Sequence, residues 1–121
     1  MSDKTIFFIL PMPPSANRYW RTTVVKGRAM TFVSDEAKKY REIVGRLASQ
    51  PTLIYSEIAV SLKVFRPQRS GDLDNKLKCL FDAMKGVTYA DDKQIVELHA
   101  FRFEDKHNPR VEVEIQVLGL C

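Results

Sequence analysis

Tyr55-Ser56-Glu57-Ile58-Ala59-Val60-Ser61-Leu62-Lys63-Val64-Phe65 alternates, with Ile58, Val60, Leu62 and Val64 pointing one way and Glu57, Ser61 and Lys63 among those facing the other. A period of two with β-branched residues on one side is the signature of a strand with a single buried face. After the loop Arg66-Pro67-Gln68-Arg69-Ser70-Gly71 the period changes. Leu73, Leu77, Leu80, Phe81 and Met84 form one tight helical stripe, so a helix is expected from about Asp72 or Asp74 to Lys85, with Gly86 just beyond its end. Tyr89-Ala90-Asp91-Asp92 reads as a turn, and Ile95–Phe103 as the next strand.

Working outward from this strand–helix–strand unit, Thr5–Leu10 is a short strand, stopped by Pro11, Pro13 and Pro14. Tyr19–Val25 and Ala29–Val33 flank Lys26-Gly27-Arg28, a hairpin turn. Ser34 caps a helix, with Asp35 and Glu36 in its first turn, that runs to about Ala48 and buries Ala37, Tyr40, Val44 and Leu47. Lys106-His107-Asn108-Pro109 turns the chain into a last strand in which Val111, Val113, Ile115 and Val117 alternate with Glu112, Glu114 and Gln116. The class is α+β: one domain over residues 1–121, a two-layer sandwich whose mixed or antiparallel sheet carries two main helices on one face.

With 121 residues the chain is one domain long, and large enough to bury a core without disulfides or a structural metal. Its longest apolar run, Ile6 to Leu10, is five residues, too short for a membrane span or a signal peptide. Cys79 and Cys121 form no metal-type pair and no disulfide framework, as in a cytoplasmic protein, and Cys79 lies off its helix's apolar stripe, at the surface or an interface. Charge is divided: residues 1–70 carry 12 basic and 5 acidic side chains, net +7, and residues 71–121 carry 7 and 10, net −3. A basic surface beside an acidic focus suits a polyanion held next to a divalent cation.

The acidic focus is Asp72 and Asp74, where a loop enters the second helix, with one of the pair Asp91 and Asp92 at the head of the following strand. Hard carboxylate oxygens of this kind suit Mg²⁺, and gathered like charges need a cation between them. Lys78, one turn beyond Asp74, lies on the same side of the helix. Against this stands the plain alternative that aspartates cap helices and populate turns.

Taken together, Asp72-Leu73-Asp74-Asn75, Lys78, Phe81-Asp82-Ala83 and Asp91-Asp92-Lys93-Gln94-Ile95-Val96 resemble the RusA family of Holliday junction resolvases. So do Leu10-Pro11-Met12-Pro13-Pro14-Ser15-Ala16-Asn17-Arg18-Tyr19-Trp20-Arg21 and Val33–Arg41, and the likeness runs over nearly the whole chain. The resemblance implies a homodimeric, Mg²⁺-dependent endonuclease, with Mn²⁺ as a substitute, that nicks four-way DNA junctions symmetrically in a bacterial or phage setting. It implies Asp72, Asp74 and Asp92 as metal ligands and Lys78 as the catalytic lysine.

Arg18, Arg21, Lys26 and Arg28 cluster around the proline-rich loop and hairpin, and Arg66 and Arg69 precede the aspartates; as a group they are expected to hold DNA phosphates. Tyr19 and Trp20 either stack on exposed bases or belong to the core. His99 and His107 read as structural. Two rival functions remain at this level: a nuclease for other branched DNA, and a DNA-binding protein without catalysis.

Overall fold

A computed structural model describes residues 4–14, 19–66 and 73–118. In chain order the elements are β1 (Lys4–Leu10), β2 (Trp20–Val25), β3 (Arg28–Val33), α1 (Asp35–Ala48), β4 (Ile58–Arg66), α2 (Leu73–Met84), a 3-10 turn (Asp92–Gln94), β5 (Ile95–Glu104) and β6 (Arg110–Val117). The chain is α+β, and the expected order of elements holds, with several boundaries coinciding and the others displaced by up to three residues.

The main sheet runs β1-β6-β4-β5, and β2-β3 form a separate two-stranded ribbon. β4 and β5 are parallel, joined through α2, while β6 is antiparallel to both β1 and β4. The last two strands are therefore consecutive in sequence but not neighbours. A parallel strand reached through a helix takes one side of β4, and β6, buried at every second residue, takes the other.

One face of the sheet is covered. Phe8, Leu10, Val60, Leu62, Val64, Val113 and Ile115 pack with Tyr40, Val44 and Ala48 of α1 and Leu80, Ala83 and Met84 of α2. Each large side chain so buried contributes about 1.5–3 kcal/mol. Ser34 caps α1, accepting the Ala37 amide at 3.2 Å. The apolar stripe of α1 ends differently from expectation: Leu47 is exposed and Ala48 is buried, because Ala48 lies nearer the line of Tyr40 and Val44. The Ala48 carbonyl also accepts the Thr88 hydroxyl at 2.9 Å.

α2 buries more than one stripe. Besides Leu80 and Met84, Cys79 is wholly buried in a second cluster with Tyr19 and Ala37. The expectation of a surface or interface cysteine is thus corrected: α2 packs on α1 as well as on the sheet, and Cys79 faces that second contact. The Cys79 thiol is pushed up to about 11 by burial.

The ribbon turns through Lys26 (φ 52°) and Gly27 (φ 78°), two left-handed residues that match the twist of a two-residue hairpin. Arg28 is already the first residue of β3. No helix among the described residues is long and apolar enough to cross a membrane.

Candidate active site

Of the expected acidic set, Asp92 is the member whose side chain the structure describes. Asp74 is the second residue of α2, placed by its backbone, and Asp72 lies outside the described residues. Lys78 is exposed on α2, four residues beyond Asp74 in the sequence. Among the described residues no three His, Cys, Asp or Glu side chains gather into a set able to hold a metal.

Asp91 and Asp92 are held differently. Asp91 caps the 3-10 turn: its carboxylate accepts the Lys93 amide at 3.2 Å and its carbonyl accepts the Gln94 amide at 3.1 Å. The Gln94 side chain completes the box, its Oε1 accepting from the amides of Ala90 (2.9 Å) and Asp91 (2.8 Å). Its Nε2 donates to the carbonyls of Ile54 and Ser56, both at 2.8 Å. Buried Gln94 therefore fastens the 90–92 turn to the segment leading into β4. The same segment is tied again by Ile54 N–H to Thr88 O (3.1 Å) and Ala90 N–H to Ile54 O (3.2 Å).

With Asp91 occupied in this way, Asp92 stands exposed with one oxygen engaged. The hydroxyl of Tyr89 donates to Asp92 Oδ1 at 3.0 Å; Oδ2 has no protein partner among the described residues. Tyr89 is fully buried, and its hydroxyl also lies 3.4 Å from the Phe81 carbonyl of α2. Burial, then the adjacent Asp92 carboxylate, raises the Tyr89 phenol far above its ordinary value, so it remains a donor. A hard, anionic oxygen presented to solvent fits the donor chemistry of Mg²⁺.

A second network, anchored on buried Tyr19 and open to solvent at Arg41 and Asp82, joins the residue before β2 to both helices. The Tyr19 hydroxyl donates to Asp82 Oδ2, Arg41 Nη2 donates to the same oxygen, and Arg41 Nε donates to Tyr19 Oη at 2.9 Å. Tyr19 is completely buried, so of the two aromatic residues considered for base stacking it is core, while Trp20, tilted against it at 4.5 Å, is half-buried. The Tyr19 phenol is raised by burial and by Asp82.

The expected DNA-facing cations divide. Lys26 and Arg28 are exposed at the end of the ribbon. Arg21 is placed in β2 by its backbone, and Arg18 and Arg69 lie outside the described residues. Arg66 departs from the expectation of a solvent-facing phosphate ligand: at the end of β4 it takes the buried side of the alternation, 3% exposed, with Nη2 3.7 Å from Glu104 of β5. His99 is exposed, 3.4 Å from Glu97, and His107 is exposed in the β5–β6 turn.

Sequence reasoning missed Tyr89, Gln94 and the Tyr19–Arg41–Asp82 network. The Asp91-x-x-Gln94 spacing is a readable capping box; the two tyrosines carried no local signal.

Residues 11–116 match the family described as Endodeoxyribonuclease RusA. The Crossover junction endodeoxyribonuclease RusA of Escherichia coli strain K12 is 32% identical over 120 residues, covering 95% of this chain and 97% of that protein. The protein of that name from Enterobacteria phage HK97 is 33% identical over 116 residues, covering 92% and 93%. That of Enterobacteria phage 82 is 32% identical over 120 residues, covering 95% and 97%.

Proposed function

This chain belongs to the RusA endodeoxyribonuclease family, and from that membership we propose that it resolves four-way DNA junctions, as a Mg²⁺-dependent homodimer, by paired symmetric nicks. The observation that carries the reading is the family match across residues 11–116, a span that takes in Asp72, Asp74, Lys78 and Asp92. The exposed, singly engaged carboxylate of Asp92 supports it.

In this reading Asp72, Asp74 and Asp92 hold Mg²⁺, for which Mn²⁺ substitutes. Bound there, the cation supplies an acidified water and positive charge beside the scissile phosphate. Asp92 presents Oδ2 from a turn fastened by Gln94. Lys78 brings its ammonium from the exposed face of α2 to the developing charge on the phosphate oxygens. Lys26 and Arg28, with Arg18, Arg21 and Arg69, hold flanking phosphates and fix the register of the junction without reading its sequence. Arg66 has a different task, pairing the ends of β4 and β5.

Two opposed cuts call for two sites related by a twofold axis. The uncovered face of the sheet supports such a pairing. Phe7 and Ile9 of β1 are exposed along one edge and Phe101 and Phe103 of β5 along the other. Across the sheet the register runs Ile9, Glu112, Lys63, Phe101. With the axis laid parallel to the strands between two such faces, β1 lies over the partner's β5 and β6 over the partner's β4. Ile9 then meets the partner's Phe101, and Glu112 meets the partner's Lys63.

The test is cleavage of a labelled synthetic four-way junction, with linear duplex as control, in Mg²⁺ and in EDTA, by wild type and Asp74→Asn. Paired nicks that require metal and vanish in the variant while junction binding persists are the expected result. A junction bound but left whole in every metal makes the carboxylates caps and the protein a non-catalytic binder. Cleavage of flaps or forks in preference to the four-way junction makes it a nuclease for other branched DNA.

A further inference from the structure

Resting on the reading of Asp92 as a metal ligand, we propose that Tyr89 is a positioning residue for that carboxylate. Its hydroxyl has one proton to give and two acceptors in range, Asp92 Oδ1 at 3.0 Å and the Phe81 carbonyl at 3.4 Å. The nearer, charged acceptor makes the stronger bond. The donor itself is fixed. The ring is wholly buried in the main core, and the Tyr89 carbonyl accepts the Gly86 amide at 2.7 Å, locking the residue to the end of α2.

An exposed aspartate samples several rotamers, and a metal must select one of them. A buried donor on Oδ1 makes that selection before the metal arrives and leaves Oδ2 as the presented oxygen. The tie also crosses elements. Asp92 belongs to the turn before β5, whereas Asp74 and Lys78 belong to α2, and Tyr89 touches both the turn and the Phe81 carbonyl of α2. Tyr89 is therefore the strut that sets the spacing between the turn-borne carboxylate and the helix-borne residues. Partners of this sort behind a ligating group typically change metal affinity about 10–100-fold when removed.

Tyr89→Phe keeps the ring in the core and removes only the hydroxyl. Mn²⁺ binding to the DNA-free protein, measured by the loss of the free-ion electron paramagnetic resonance signal, is compared for wild type, Tyr89→Phe, Asp92→Asn and the double variant. Melting temperature and junction binding in EDTA are measured alongside. The expected result is a Mn²⁺ Kd weakened about 10-fold in Tyr89→Phe. The Mg²⁺ requirement for half-maximal cleavage rises to match, the rate at saturating Mg²⁺ stays close to wild type, and junction binding in EDTA is unchanged. In the Asp92→Asn background the Tyr89→Phe change has no further effect on Mn²⁺ affinity. Wild-type Mn²⁺ affinity in Tyr89→Phe, with Asp92→Asn still impaired, overturns the proposal and leaves the metal-ligand reading standing. An undiminished Tyr89→Phe effect in the Asp92→Asn background also overturns it, because the hydroxyl then acts through the fold at large. Unchanged Mn²⁺ affinity in Asp92→Asn itself removes the metal-ligand reading and this proposal with it.

Discussion

Asp91 and Asp92 are adjacent in the chain and opposed in duty: the carboxylate of Asp91 is turned back onto the Lys93 amide at 3.2 Å, and that of Asp92 stands in solvent with one oxygen held by Tyr89. Two identical side chains with different partners make a sharp experimental contrast. Asp92→Asn removes the charge presented to the cation and is expected to lower metal-dependent junction cleavage by on the order of 10²–10³. Asp91→Asn keeps a good cap and is expected to cleave at close to the wild-type rate. Asp91→Ala loses the cap and about 1 kcal/mol of stability. Cleavage rates and urea titrations of the three variants check this directly.

Gln94 is buried and makes four hydrogen bonds, two through each end of its amide. Gln94→Ala takes the side-chain partner from the Asp91 amide and the Ser56 carbonyl, and leaves the Ala90 amide and the Ile54 carbonyl with only their bond to each other. A loss of about 2–4 kcal/mol is expected in urea unfolding. Gln94→Glu keeps the acceptors but sets a carboxylate oxygen against two carbonyls, and is expected to destabilise as well, most strongly at neutral pH where the carboxylate is ionised.

The Cys79 thiol, raised from 9.0 to about 11, gives the stability a dependence on alkaline pH. Between those values the unfolded chain has lost the thiol proton and the folded chain keeps it. Stability is therefore full below about pH 9 and falls as pH rises toward about 11. Tyr19, Tyr40 and Tyr89, raised above their ordinary 10.0, add a further fall above that pH. In Cys79→Ala the decline is expected to begin near pH 10, where the phenols of an unfolded chain ionise, rather than near 9. Melting temperatures from pH 8 to 11 read the difference.

Ile9 and Phe101 are both exposed in a single chain, at 49% and 47%. Ile9→Asp and Phe101→Asp are accordingly expected to melt like wild type at protein concentrations where the chain is monomeric. If the uncovered sheet face joins two protomers, each weakens self-association by about 10-fold or more, because a carboxylate is desolvated against an apolar partner. Sedimentation equilibrium distinguishes this from a dimer built on another surface, which neither substitution would disturb.

Most of the secondary structure was legible because each element obeys one period cleanly. The alternation over Ile58–Val64, the Ser34 cap and Gly86 after α2 (φ 82°) are local signals with local causes. What escaped the sequence is what depends on two partners at once. A stripe calculation assigns a helix one buried face, so it left Cys79 outside the core, whereas α2 has neighbours on two sides. Alternation marks β6 as half-buried but does not say which strands flank it, and the insertion of β6 between β1 and β4 had no local signature. At the candidate site the motif pointed to Asp92, but its neighbours Tyr89 and Gln94 act through contacts to Phe81, Ile54 and Ser56, which only the folded chain brings close. Arg66 looked like a surface cation from its loop-side position; the parity of β4 turns it inward.

The pairing of β1 with β6, from Lys4 opposite Val117 to Leu10 opposite Val111, has a consequence for biosynthesis. Among the described residues β1 has no other partner in the sheet, and β4 has β6 along one edge from Ile58 to Phe65. On the ribosome, β1 therefore waits for β6, and until Arg110–Val117 leaves the exit tunnel β1 and β4 each keep an edge without its strand partner. The sheet closes only after translation has passed the sixth strand, through contacts of nearly maximal sequence separation, the slow class of folding event. A polypeptide stalled before that point holds its helices and its β4–β5 unit but exposes strand edges open to pairing with other chains.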